Sequence, residues 1–440
     1  MTDETPRIPP TGLDGPSAES RAPEASASPA ILLTAPRDGT PEPVDTPSGL
    51  ARAAELLASG TGPVAVDAER ASGYRYTHRA YLVQLRREGA GTILIDPIPF
   101  EDLSVIAAAI ADAEWVLHAA SQDLPCLAEV GLVPTRLFDT ELAARLANLE
   151  RVGLAALTEQ LLGFALEKHH SAADWSTRPL PPSWLSYAAL DVELLVDLRD
   201  KLEAELTAQN KLAWAREEFE YLVATAGRPA PPRTDPWRRT SGIHKVRGAR
   251  ALARVRALWY ARDRVAQRRD SAPGRVLADS AIIAAAEADP TNERELLAIQ
   301  GFGGRYVRRL APVWLDALEE ARRLDDSELP TPTVTDGPPP PHRWAERDPE
   351  AAARLARCRE VVTRLATHHR LPPENLIAPD TVRRLAWTPP DPITEASVDA
   401  ALAAAGARRW QRGLLAAQLA EVQSTVEKWR EWAATRVVPR

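Results

Sequence analysis

The chain of 440 residues contains only two cysteines, Cys126 and Cys358, which stand far apart in the sequence. Two such residues exclude a disulfide framework and a zinc site built on a cysteine cluster. No segment approaches the roughly 18 uninterrupted apolar residues that a membrane span needs. The first thirty residues have neither the basic start nor the apolar run of a signal peptide. We therefore expect a soluble, cytoplasmic protein without a membrane partner.

An overall positive charge is also lacking, because the formal net charge is −7. An evenly acidic surface would argue against a nucleic-acid partner, since phosphate affinity comes from clustered Lys and Arg. The charge is uneven, however, because residues 238–275 carry twelve basic side chains and two acidic ones. A charge run is commonly a solvated surface, so this segment indicates either a polyanion contact or a plain hydrophilic face.

Composition and hydrophobic pattern divide the chain into several parts, as its length requires. The Pro- and Ser-rich start cannot bury enough apolar surface to fold. The next part alternates short apolar runs with helical stretches, and two nearly all-helical parts follow Pro-rich breaks. The predicted order is a disordered tail at 1–30, an α/β domain at 31–215, a linker at 216–245, a helical domain at 246–325, a Pro-rich linker at 326–346 and a second helical domain at 347–438. The two helical parts share an Arg-rich first helix and a Pro-bearing turn, which suggests duplication.

Two acidic residues, Asp67 and Glu69, follow the apolar run Val64–Val66. On a strand, residues two apart project from the same face, so these carboxylates would lie side by side. Like charges at that separation raise each other's pKa, whereas a divalent cation makes the pair favourable. The pattern indicates a metal site or, alternatively, a strand that runs out into a solvated acidic turn.

Two further acids stand near the ends of predicted elements. Asp123 follows a strand that ends near His118 and falls in the first turn of a helix, where capping the helix is the structural explanation. Tyr187 and Asp191 are four residues apart on a later helix and share a face, which core packing also explains. Each of these motifs taken alone therefore has a structural alternative.

The three motifs D-x-E, H-x4-D and Y-x3-D, in this order, resemble those of the DEDDy 3′-to-5′ exonucleases, and of ribonuclease D in particular. Further matching pieces are Tyr81–Leu85, Phe138–Thr140 and Arg178–Leu180. The resemblance spans about 45–215 and implies a ribonuclease H-like mixed sheet whose early strands are antiparallel. Residues 246–325 resemble an HRDC domain, and 347–438 look like a diverged second copy. The expected fold class is thus an α/β exonuclease domain followed by two all-α HRDC-type domains.

The resemblance also implies a chemistry. The chain would be a two-metal-ion 3′-to-5′ exoribonuclease that releases 5′-mononucleotides from transfer-RNA precursors or other structured RNAs. Two Mg²⁺ or Mn²⁺ ions, which prefer oxygen ligands, would be held by four carboxylates: Asp67, Glu69, Asp123 and Asp191. Tyr187 would orient the attacking water.

Several basic and polar residues are weaker candidates for substrate contact. Gln84 and His118 could contact the terminal nucleotide or satisfy buried backbone groups, and Lys168 and Arg178 could reach a phosphate or lie on the surface. The candidate nucleic-acid patch comprises Arg247, Arg250, Arg254, Arg268 and Arg269. Arg70 stands where a hydrophobic residue is common in the family, so the packing beside the terminal base is expected to differ.

Two other functions stay open at this point. The same motifs occur in DNA exonucleases of the Werner type, so DNA is an alternative substrate, although the chain has no helicase motor. A catalytically inactive nucleic-acid-binding scaffold is the alternative from another class, and retention of every expected acid argues against it.

Overall fold

The computed structural model describes residues 30–166, 172–228, 233–331 and 337–435, and in the last range it describes side chains as far as residue 425. The predicted tail at 1–30 lies almost wholly outside the described residues. Strands occur only in the first of these ranges. They are β1 (Ile31–Leu33), β2 (Thr61–Arg70), β3 (Ala80–Glu88), β4 (Gly91–Ile95), β5 (Trp115–Leu117), β6 (Leu137–Asp139) and β7 (Phe164–Leu166).

Five of the strands form one mixed sheet in the order β4-β3-β2-β5-β6. The pairs β2/β3 and β3/β4 are antiparallel, whereas β5 is parallel to both β2 and β6. The carboxyl ends of β2, β5 and β6 therefore meet at one edge of the sheet, and the predicted mixed sheet with antiparallel early strands is confirmed. Strands β1, β6 and β7, of three residues each, were not predicted.

Helices cover both faces of this sheet. They are α1 (Pro47–Ser59), α2 (Ser104–Ala109), α3 (Leu124–Glu129), α4 (Thr140–Leu146), α5 (Leu154–Leu157), α6 (Pro182–Glu193), α7 (Leu195–Ala208) and α8 (Leu212–Thr225). Along β2 the side chains alternate: Val64 and Val66 pack in the core that contains α1, whereas Ala65 packs against Val192 and Leu195 on the opposite face. Asp67 and Glu69 continue the second series, so they face α6.

The first helical domain contains α9 (Ala249–Arg269), α10 (Pro273–Val276), α11 (Asp279–Ala288), α12 (Glu293–Ala298), α13 (Arg305–Arg309) and α14 (Ala311–Arg323). Its core includes Trp237, which is fully buried. The predicted linker at 216–245 is therefore wrong in extent, because α8 continues to Thr225 and Trp237 already belongs to the helical core. Pro-rich composition could not show that residues on either side of the break pack in the neighbouring domains.

The second helical domain contains α15 (Trp344–Arg347), α16 (Pro349–His369), α17 (Pro373–Leu376), α18 (Pro379–Trp387), α19 (Glu395–Ala404) and α20 (Arg409–Thr435). Helices α16 and α17 repeat the lengths of α9 and α10 at positions 100 residues later. The buried contacts repeat as well, because Arg254 Nε donates to Ala286 O (2.7 Å) and Arg354 Nε donates to Ala386 O (2.9 Å). The internal resemblance seen in the sequence therefore extends to three-dimensional contacts.

The second helical domain packs against the α/β domain through a buried acid. Glu218 on α8 accepts from the Trp410 indole (2.9 Å) and from Arg408 Nε (2.8 Å). Lys211, also buried, donates to Leu146 O (2.8 Å) and to Arg370 O (2.9 Å).

Among the described helices, none is long and apolar enough to cross a membrane.

The first helical domain holds the loop that follows β2. Asp270 at the end of α9 accepts from Tyr76 N (3.1 Å), Thr77 N (2.9 Å) and Thr77 Oγ1 (2.9 Å). Arg275 stacks 4.0 Å from the centre of the Tyr74 ring. This loop leaves the strand that carries two of the predicted catalytic acids, so the helical domain restrains one side of that site.

We predict that Asp270→Gly frees this loop without weakening α9. Asp270 has a left-handed backbone (φ 44°), which glycine adopts readily, so the change removes the carboxylate without adding strain. Hydrogen exchange at the Tyr76 and Thr77 amides should accelerate at least about tenfold, which corresponds to the loss of roughly 1.4 kcal/mol of protection. Arg370→Gly is the matched control, because Arg370 caps α16 in the same conformation (φ 51°) and should leave those amides unchanged.

Candidate active site

Three of the predicted carboxylates lie together in the structure. Each of Asp67, Glu69 and Asp191 offers an oxygen, and these oxygens are all within 4.8 Å of one another. Asp67 and Glu69 come from β2, opposite Gln84 and Leu82 of β3, and Asp191 comes from α6. Strand alternation therefore places two acids beside each other, as predicted, and the packing of α6 on the sheet adds the third.

An arginine outside the cluster holds the segment that leads into α6. Arg178 Nε and Nη2 bind both Asp96 oxygens (2.6 and 2.9 Å), and Nη2 also donates to Tyr81 O (2.8 Å). Nη1 donates to the carbonyls of Trp175 (2.8 Å) and Thr177 (2.7 Å). All five N–H groups are used, so the prediction that Arg178 contacts a phosphate is corrected. Its contacts tie the loop before α6 to the end of β4.

The fourth carboxylate, Asp123, lies at the start of α3 but makes no capping hydrogen bond there. Its Oδ1 is instead 3.2 Å from Arg70 Nη2. The simple capping explanation for Asp123 is therefore wrong. Arg70 is a site residue that the motifs did not reveal, because its contact joins the end of β2 to the loop after β5.

A second buried aspartate, Asp139, supports that loop. It accepts from Ala119 N (3.1 Å) and Ala120 N (2.9 Å) in the loop, and from Glu141 N (2.9 Å) and Leu142 N (3.1 Å) at the start of α4. It is 3% exposed, so these four bonds supply its solvation. Asp139 thus fixes the chain just before Asp123, and its position at a helix start was the only sequence signal for it.

Crowding and burial disfavour the charged forms of the cluster. Burial raises the pKa of Asp67 to about 6, and burial together with the charge of Asp67 raises that of Asp123 to about 8. Burial and neighbouring acids also raise the pKa values of Glu69 and Asp191 well above their ordinary range. The charge of Arg70 partly opposes these shifts at Asp67, Glu69 and Asp123. Ionised carboxylates in this arrangement require further positive charge.

Tyr187 lies one helical turn from Asp191 and is hydrogen-bonded to it. Burial and the nearby acids raise the pKa of its phenol, so the hydroxyl stays protonated at neutral pH. A neutral phenol can donate or accept a hydrogen bond but cannot remove a proton as a phenolate would.

Gln84 and His118 have different surroundings. The Gln84 amide is fully buried and has no hydrogen-bond partner within the described residues. His118 Nδ1 lies 3.0 Å from Thr140 Oγ1, and burial lowers its pKa to about 4, which keeps the ring neutral. His118 therefore has a structural partner, whereas a substrate contact by Gln84 stays a prediction. Lys168 lies outside the described residues.

In the structure, some arginines of the predicted basic patch are bound within the protein and others are exposed. Arg250 donates to Arg322 O (3.3 Å) and to Asp326 (2.7 Å), and Arg254 is bound to Ala286 O and Asp289. These two are corrected to structural residues, because backbone carbonyls and acidic side chains of the same domain occupy their guanidinium groups. Arg247 donates to a backbone carbonyl, whereas Arg268 and Arg269 are exposed on the last turn of α9.

Comparison with known proteins agrees with this arrangement. Residues 41–207 match the family model of a 3′-5′ exonuclease, 251–318 match an HRDC domain, and 337–422 match a 3′ to 5′ exonuclease C-terminal domain. The chain is 33% identical to ribonuclease D of Acidiphilium cryptum over 325 residues, which cover 70% of this chain and 79% of that protein. The chain belongs to the ribonuclease D family. It is therefore a 3′-to-5′ exoribonuclease, a hydrolase of phosphodiester bonds.

Solved structures give the same assignment. A crystal structure of a protein from Bifidobacterium adolescentis matches with a TM-score of 0.82 and 41% identity, and the match covers 90% of this chain and all of that one. Ribonuclease D of Escherichia coli, described as an exoribonuclease involved in structured RNA processing, matches with a TM-score of 0.64 and 26% identity over 88% of this chain and 98% of that one. The ribonuclease H-like fold followed by helical domains is thus confirmed.

The cluster fits the divalent metal ions that exonucleases of this fold use. Its donors are all carboxylate oxygens, which hard cations such as Mg²⁺ and Mn²⁺ prefer. The raised pKa values show that the described neighbours supply too little positive charge for these acids. A bound cation would supply the positive charge that these carboxylates need.

We predict that Asp67→Asn stabilises the metal-free protein. Folding raises the pKa of Asp67 to about 6, so ionisation above that pH costs folding free energy that the neutral amide avoids. The gain should be about 1 to 3 kcal/mol at pH 7.5 in EDTA, measured by urea unfolding. Asp139→Ala is the control of opposite sign, because alanine accepts none of the four bonds that Asp139 makes and leaves four backbone N–H groups without their partner. Destabilisation by both changes would contradict the interpretation.

Proposed function

We propose that this ribonuclease D homologue removes nucleotides from the 3′ ends of structured RNAs, such as transfer-RNA precursors, by two-metal-ion catalysis. The observation that carries the proposal is the cluster of Asp67, Glu69 and Asp191 beside Tyr187, with Asp123 nearby. Asp67, Glu69, Asp123 and Asp191 would hold the ions. Bound ions would acidify the attacking water and neutralise the phosphate.

The chain's own residues would orient the reactants. The Tyr187 hydroxyl, held by Asp191, would position a water on the phosphorus side of the scissile bond. The water oxygen bonds to phosphorus, the bond from phosphorus to the 3′ oxygen of the preceding nucleotide breaks, and that oxygen takes a proton. Each cycle therefore consumes one water and releases one 5′-mononucleotide.

An arginine surface on the first helical domain supports RNA as the partner. Its members are exposed and lie on the last turns of α9 and on α13: Arg264, Arg268, Arg269, Arg305, Arg308 and Arg309. Arg269 stacks 4.4 Å from the centre of the Tyr306 ring, which joins the two helices. Within the described parts of the chain, the side chains of the other five arginines make no hydrogen bond or ion pair. They are therefore available for phosphates, unlike Arg250 and Arg254.

We predict that Asp191→Asn abolishes cleavage and that Tyr187→Phe reduces it about 100-fold, because the first loses a metal ligand and the second only the orientation of water. The assay follows a 3′-extended transfer-RNA precursor with Mg²⁺ or Mn²⁺, and mononucleotide release identifies the products. RNA binding by both variants in a gel-shift assay is the control for folding.

The substrate is tested with oligomers of one sequence. RNA should be shortened at least about tenfold faster than DNA, and a precursor with a folded body should be preferred over a single strand of equal length. Faster cleavage of DNA would make this chain a DNA exonuclease instead, and tight RNA binding without hydrolysis would indicate the inactive scaffold.

We predict that the double change Arg305→Gln/Arg308→Gln weakens RNA binding and reduces the slope of log affinity against log salt by about 1 to 2, because each phosphate contact contributes about 0.7 to 0.9 to that slope. Arg357→Gln/Arg359→Gln removes the same charge from an exposed part of α16 and serves as the matched control. Equal losses in both variants would show that net charge, and not this surface, determines binding.

A further inference from the structure

Arg70 is the one cation that contacts the acidic cluster among the described residues. Its Nη2 is 3.2 Å from Asp123 Oδ1, and its positive charge opposes the rise in pKa that burial causes at Asp67 and Glu69. The Asp123 side chain is 8% exposed and that of Arg70 is 27% exposed, so the acid is nearly buried whereas the arginine is partly open to solvent.

The backbone holds Arg70 in this place. It is the last residue of β2, and the pairing with β3 shifts register between Glu69 and Arg70. Such irregularities re-aim a side chain, which explains how Arg70 reaches an acid on the neighbouring strand's loop. The residues that follow are fixed by Asp270, so the chain is restrained on both sides of Arg70.

The guanidinium has more donors than Asp123 uses. Arginine carries five N–H groups in a planar fork, and the ion pair with Asp123 is the only side-chain hydrogen bond or ion pair of Arg70 within the described residues. A guanidinium fork binds a phosphate as well as a carboxylate, so the unused donors of Arg70, beside the carboxylates proposed to hold metal, can take a phosphate oxygen of the substrate.

We propose that Arg70 is a phosphate-binding residue of this active site that also competes with metal for Asp123. Without metal, the guanidinium neutralises Asp123. When metal and RNA bind, Asp123 turns to the metal and the guanidinium donates to a non-bridging oxygen of the 3′-terminal phosphodiester. This inference rests on the proposed metal-dependent cleavage and assigns a new residue to it.

The proposal predicts opposite effects on metal binding and on turnover. Arg70→Met should bind Mn²⁺ roughly fivefold more tightly, because an ion pair worth about 1 kcal/mol no longer competes for Asp123. It should cleave 3′-labelled RNA about 100-fold more slowly at saturating metal and RNA, because a charge-assisted bond to the phosphate is lost. A structural role alone would weaken both.

The experiment measures Mn²⁺ binding to the RNA-free protein by electron paramagnetic resonance, and kcat and KM on the same RNA. Arg70→Lys keeps the charge and should retain the wild-type Mn²⁺ affinity with part of the lost kcat. Arg79→Met removes a charge from the same loop, where Arg79 stacks on Tyr81 (5.8 Å from the ring centre), and should change neither value.

The role of Arg70 would be overturned if Arg70→Met bound Mn²⁺ no more tightly than the wild type. It would also be overturned if the kcat of Arg70→Met were within about twofold of the wild-type kcat. In that case a wild-type protein that binds Mn²⁺ and cleaves RNA leaves the proposed function intact. A wild-type protein that does neither overturns both proposals.

Discussion

Like charge crowded into a small, poorly hydrated space is the constraint on which the rest of this site depends. Oxygens of Asp67, Glu69 and Asp191 lie within 4.8 Å of one another. Burial and the neighbouring acids raise the pKa values of Glu69 and Asp191 in this arrangement. Such a cluster persists without a cation only if the backbone around it cannot relax. The sheet fixes the two acids of β2, and the five hydrogen bonds of Arg178 fix the approach to α6. Stability of the surrounding fold thus holds the acids in a costly arrangement that binding of metal makes favourable.

The arginines of this chain divide by what occupies their guanidinium groups. Arg178, Arg250 and Arg254 are bound to carbonyls and acids within the protein and stabilise loops and helix ends. Those on α13 and the last turns of α9 face solvent without such partners. Charge counted along the sequence cannot separate the two groups, since Arg250 and Arg254 lie in the same Arg-rich helix as Arg268 and Arg269. Hydrogen bonding within the protein separates these two groups, and the second group keeps its N–H donors available for phosphates.

The sequence predicted which of these residues lie side by side, because their spacing along one strand or one helix determines it. Residues two apart on a strand lie on one face, which paired Asp67 with Glu69 correctly. Residues four apart on a helix also lie on one face, which paired Tyr187 with Asp191 correctly. It did not predict the contacts of Arg70 with Asp123, of Asp96 with Arg178 or of Asp270 with Thr77. These join residues from 53 to 193 positions apart, and no local pattern encodes which basic side chain meets which acid. The predicted bounds of the linker at 216–245 were wrong for the same reason, because packing decides whether Trp237 is buried.

An acidic protein with an acidic catalytic cluster must still attract a polyanion. At long range, the exposed arginines of the first helical domain lie where they can offset a net charge of −7. At short range, RNA meets four carboxylates, and the phosphate at the 3′ end would be repelled unless cations lie between them. Bound metal ions would supply that charge, and we propose that Arg70 supplies part of it from the protein itself. Because Asp270 restrains the loop after Arg70, the domain that carries the outer arginines also fixes the inner one. In the proposed function, the helical domain would therefore contribute to the site twice, once by attracting the RNA backbone and once by holding the strand end where the last phosphate is cut.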